Sequence, residues 1–189
     1  MKGVAACGLA LLALLAPTVV RSETTQDRVR RLAAAVSSGM SATQVLTEWC
    51  ARLGLADPPV IRAVLEPSSP KAAGDVTRRL LAAAPTERVR YRRVRLVCGT
   101  HVLSEAENWY LPSRLTPDMN RRLDGTDTPF GVVVAPLSFH RQTQAVQFLS
   151  GAVGVMRVRA LLISGAGAPF SLVVETYGRD LIAVTPPGR

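Results

Sequence analysis

Cysteine, histidine and acidic residues are all scarce in this 189-residue chain, and each shortage removes a class of function. Three cysteines and two histidines, His101 and His140, fall at no spacing that would hold zinc. Neither a metal nor a cofactor is expected. Acidic residues number 14 against 23 basic ones, a formal charge of +9 carried mostly by arginine. No basic tract interleaved with aromatics, no zinc-finger spacing and no helix-turn-helix pattern accompanies that charge, so nucleic acid is not an expected partner. After residue 22 no apolar run is long enough to cross a bilayer.

What is present fits one domain of ordinary size. The 48% hydrophobic fraction can fill a core, and 20% charged argues against disorder. Residues 1–22 read as a signal peptide: Lys2 starts it, Val4 to Ala16 is apolar, and Val20-Arg21-Ser22 suits cleavage before Glu23. The rest, 23–189, reads as a single domain in a periplasmic or secreted protein. The membrane is then met only through that leader, cleaved or kept as an anchor. Cys50 and Cys98 either pair in an oxidising compartment or stay small buried hydrophobes.

Thr24 to Ala35 has helical spacing, and a second helix runs from Ser41 or Thr43 to Leu53 with Gly54 as its stop. Val60 to Leu65 is a short apolar strand, and Asp75 opens a third helix carrying Val76, Leu80 and Leu81. Arg88 to Val97 alternates, but Tyr91 and Val94 lie in opposite phases, which predicts a bulge at Arg92-Arg93. An arginine beyond that slip turns inward, and Arg93 is the candidate. A hairpin at Cys98-Gly99-Thr100 leads into His101 to Leu111. Short helices follow at Thr116 to Leu123 and after Thr128, then strands at 139–149, 155–163 and 169–177. The pattern is α+β: about six mostly antiparallel strands with helices packed on one side.

Two places carry chemical interest. Thr128-Pro129 has the residue types of an N-cap and first helical position, either an ordinary cap or a seat where the N–H groups of Phe130 and Gly131 meet an anion. Glu175 is the one acid in the apolar run Pro169 to Tyr177, either solvated at an edge or enclosed in a pocket.

Taken in order, Ser41-Ala42-Thr43, the strand from Arg93 to Cys98, Pro112 with Leu115, Thr128-Pro129-Phe130-Gly131, and Ser164-Gly165 followed by Leu172 to Glu175 resemble the bacterial chorismate lyases (chorismate–pyruvate lyases) of ubiquinone synthesis. The resemblance implies a six-stranded antiparallel sheet, helices on one side and a buried ligand cavity under helical flaps. It implies a small aromatic carboxylate as ligand, of the 4-hydroxybenzoate or chorismate type. Arg93 would grip its carboxylate, the Phe130 and Gly131 backbone would add donors, and Asn108 and Trp109 would line the pocket. Glu175 would be the catalytic acid beside the departing pyruvate. Two positions depart from the family: Asn108 replaces a second arginine, and Ala42 replaces a lining methionine. Asn108 favours a non-catalytic ligand-binding or sensor domain on the same fold over a pyruvate-releasing lyase.

Overall fold

The computed structural model describes residues 23–39, 41–67, 69–150 and 153–183. The expected signal peptide, residues 1–22, lies outside them. Strands β1 (Ile61–Leu65), β2 (Arg90–Cys98), β3 (His101–Tyr110), β4 (His140–Phe148), β5 (Met156–Ile163) and β6 (Pro169–Tyr177) form one antiparallel sheet. Their order is β1-β2-β3-β6-β5-β4, so the last strand in sequence lies inside, between β3 and β5.

Helix α1 (Thr25–Ser37) begins at Thr24, whose hydroxyl accepts from the Asp27 N–H at 3.1 Å. Helix α2 (Ala42–Leu53) ends on Gly54, which takes the left-handed φ of 61° that a side chain would resist. These two and the terminal helix α6 (Asp180–Ala183) bury Leu32, Val36, Leu46 and Trp49 against Val94, Leu96, Ala106 and Val158. Helices α4 (Pro117–Gly125) and α5 (Phe130–Val133) bring Met119, Leu123, Phe130 and Val133 onto Tyr110, Leu162, Phe170 and Val173, the same face of the sheet. On the opposite face, the segment of α3 (Asp75–Leu80) lays Leu80 and Leu81 against Leu161 and Leu172, while Val76 stays exposed.

Cys50 in α2 and Cys98 at the end of β2 form a disulfide, with Cα atoms 6.3 Å apart. It settles the alternative that the sequence left open, and ties the helical layer to the sheet.

The register corrects one expectation. The shift in β2 falls between Leu96 and Val97, not at Arg92-Arg93. From Arg90 to Leu96 the alternation is therefore unbroken, and Arg92 shares the helix-covered face with Val94 and Leu96. Arg93 is left facing the other way.

Candidate functional site

At the centre of the helix-covered face, Arg141 and Glu175 form a buried ion pair through Nη2 and Oε2, their side chains 2% and 7% exposed. The sheet brings them together across a gap. Arg141 on β4 sits opposite Leu162, and Glu175 on β6 sits opposite Val158. Between those two β5 positions lies Ala160, fully buried, whose small side chain leaves the diagonal free for the guanidinium. Tyr177, two residues beyond Glu175 and so on the same face, donates its hydroxyl to Glu175 Oε2 at 2.9 Å.

The electrostatics follow from that enclosure. Burial works against the Arg141 charge, but the Glu175 carboxylate and the Tyr177 hydroxyl outweigh it and raise the guanidinium pKa. Burial, then the adjacent Glu175 charge, push the Tyr177 phenol well above its ordinary 10.0. Above pH ~10 the unfolded chain loses that proton while the folded one keeps it, so stability falls as pH rises. Denaturant midpoints taken through pH 9 to 11 are expected to drop, with a slope near 1.4 kcal/mol per pH unit for each tyrosine so held.

The pair forms one wall of a cavity lined by Val94, Leu96, Ala106, Phe130, Phe139 and Val173, with Asn108, Ser41 and Thr43 as polar points. Its free volume is about 30 Å³, room for one or two waters rather than an aromatic ring. Ser41 and Thr43 at the start of α2 and Gly131 in α5 also line a shallower hollow outside, so these two segments stand between the cavity and solvent. A methyl group at Gly131 would lie 2.5 Å from Ser41 Oγ, closer than real contacts allow, and 3.3 Å from Thr43 Oγ1, a tight contact. Gly131→Val is expected to force α2 and α5 apart at a cost of about 1–3 kcal/mol, measurable by chemical denaturation.

Four of the residues singled out in the sequence meet here: Glu175, Asn108, Phe130 and Gly131. Two do not. Arg93 lies on the opposite face, its side chain 35% exposed and paired with Glu105 at 2.9 Å. Trp109 shares that face, its ring centroid 5.2 Å from Tyr91 and its Nε1 donating to the Lys71 carbonyl at 3.2 Å. Arg93 follows from the displaced bulge, and Trp109 from its place next to the inward-facing Asn108, since neighbouring residues of a strand point to opposite faces. The expected cap is also changed. The Thr128 N–H is engaged by Thr126 Oγ1 at 3.2 Å, the N-cap is Pro129, and α5 has only four residues. So short a helix has little macrodipole with which to hold an anion.

Arg141 is the residue that sequence reasoning missed. Its neighbours Gln142, Thr143 and Gln144 are polar, so the strand reads as solvated. The usable signal was Glu175 itself, because a carboxylate inside an apolar strand requires a cation nearby.

No family model matches the chain. The uncharacterized protein y4mC of Sinorhizobium fredii (strain NBRC 101917 / NGR234) is 35% identical over 183 aligned positions, covering 84% of this chain and 77% of y4mC. The chain belongs to the y4mC family. Among solved structures, the effector domain of PhnF from Mycobacterium smegmatis is similar, with a TM-score of 0.53 and 10% identity over 80% of this chain and 95% of that domain. Whole PhnF gives 0.54 and 11% identity, with 80% of this chain and 70% of PhnF covered. The GntR-family transcriptional regulator of Enterococcus faecalis V583 covers 68% of this chain and 99% of its own, at 12% identity and a TM-score of 0.46. At such identities PhnF establishes the fold alone, and it is the one expected: a chorismate-lyase-like α+β sheet with its main helical layer on one side, the short α3 segment lying on the other. These likenesses contradict the expectation of a periplasmic or secreted protein.

Proposed function

We propose that this chain is a non-catalytic small-ligand-binding domain of the effector type, taking a small aromatic carboxylate between α2, α5 and the sheet. The observation that carries this reading is the engagement of Glu175. Its Oε2 already accepts from both Arg141 and Tyr177, so it is held as an acceptor and not as an acid ready to donate to a leaving group. Asn108, in place of a second arginine, brings no charge to a second carboxylate. Chorismate carries two, whereas 4-hydroxybenzoate carries one.

The binding chemistry remains supported. Arg141 Nε is buried and meets no acceptor among the described residues, which leaves one donor for a ligand oxygen. Phe130, Phe139 and Val173 supply the apolar walls for a ring. With so little free volume, entry requires α5 to move away from the start of α2, so that binding and displacement of that flap are one event. The PhnF domain of the same fold is an effector domain, which supports the same reading.

Incubation with chorismate and assay for pyruvate separates this from the lyase reading. No pyruvate above the uncatalysed background is expected, together with a rise in melting temperature on adding 4-hydroxybenzoate. Pyruvate release that disappears in Glu175→Gln would establish the lyase instead.

A further inference from the structure

A second recess lies along the same face of β2, two residues beyond Val94, and shares no lining residue with the cavity around Glu175. It has a volume of about 240 Å³ and is bounded by Leu65 at the end of β1, Arg90, Arg92, Tyr110, and Leu123 and Asp124 of α4. Arg92 is only 6% exposed, yet none of its Nε, Nη1 and Nη2 atoms meets an acceptor among the described residues. A buried guanidinium with no acceptor is costly, and a fold retains one where something else supplies the oxygens.

The surroundings suit an oxyanion. Arg90 stands over the Tyr110 ring, 5.8 Å from its centroid, and holds Asp124 with two bonds of 2.9 and 2.7 Å. Glu66, the other acid at the rim, is paired with Arg95. Both carboxylates are thus neutralised by their own partners, and the Arg92 charge is left over. Its planar fork matches two oxygens of a phosphate or carboxylate.

We propose that this recess is a separate binding site for a small oxyanion, with Arg92 as the bidentate contact and the Arg90–Asp124 pair as its rim. The ligand is a small phosphate or carboxylate group, free or at the end of a short stem.

The test is thermal unfolding of the full chain with inorganic phosphate or acetate, each against sodium chloride of equal ionic strength. One of the two anions is expected to raise the melting temperature with dose, and which one does so identifies the head group. Arg92→Met is expected to melt higher than the wild type without anion, because an apolar side chain of similar length replaces a stranded charge. The same variant should weaken the anion by about tenfold or more. Asp124→Asn, which frees Arg90 toward the recess, should tighten it. Neither anion shifting the wild type, an undiminished shift in Arg92→Met, or an Arg92→Met protein that melts lower or fails to fold would each overturn the proposal. None of these results bears on 4-hydroxybenzoate binding at the Glu175 cavity, which has its own probe and its own lining residues.

Discussion

Glu175→Leu is expected to cost about 3–5 kcal/mol of stability, because it strands the Arg141 guanidinium in a dry interior. For a chain of this size that lowers the melting temperature by roughly 6–20 °C. Arg141→Met should be costly for the same reason, since it leaves the Glu175 carboxylate enclosed without its cation. The double replacement, Arg141→Met with Glu175→Leu, should recover most of the loss, with a coupling energy that outweighs that of the partly exposed Arg93–Glu105 pair on the opposite face. Near-additive effects in such a cycle would mean that the pair is solvated and that no closed cavity wall exists there.

The second large effect is that of the Cys50–Cys98 bond. It closes a loop of 48 residues, for which the chain-entropy account gives about 4 kcal/mol. Treatment with dithiothreitol, or the double variant Cys50→Ala with Cys98→Ala, is expected to lower the denaturation midpoint by that order. The bond also joins α2, whose start lines the cavity at Ser41 and Thr43, to the sheet. Loss of the bond should therefore weaken the wall as well as the fold, visible as faster amide exchange along α2. An unchanged midpoint under reductant would show that packing alone fixes α2 against β2.

Much of the architecture could be read from the chain because it depends on local patterns. The two-residue period gave the strands, glycines marked the hairpins, and Thr24 and Gly54 marked where helices begin and end. The site was less legible, and a single displaced bulge accounts for much of that. With arginines at 90, 92, 93 and 95, the strand has a basic residue available in either phase. Only the partner strand fixes where the phase breaks, and the β2–β3 pairing puts the shift at Leu96/Val97. Arg92 and Arg93 exchange faces as a result. The Arg141–Glu175 pair is hidden for a related reason: its members are 34 residues apart and meet over a third strand. No local spacing encodes such a contact. Thr128 was misjudged because its hydroxyl oxygen accepts from the Thr126 hydroxyl at 2.9 Å rather than from the helix, which starts one residue later with Pro129 as its N-cap.

The likeness to chorismate lyases therefore holds for the sheet, and the roles that it implied are redistributed. Arginine is still present on the inner face, but as Arg92 and Arg141, one without an acceptor among the described residues and one committed to Glu175. A carboxylate so committed favours recognition over proton transfer.

Calorimetric titration of 4-hydroxybenzoate into the wild-type protein and into Asn108→Leu tests that claim most directly. One ligand per chain is expected, with binding weakened about tenfold or more in Asn108→Leu because a polar wall of the cavity is lost. Absence of binding to the wild type, or equal affinity in the two proteins, would contradict the account and leave the Arg141–Glu175 pair as a feature of the fold alone.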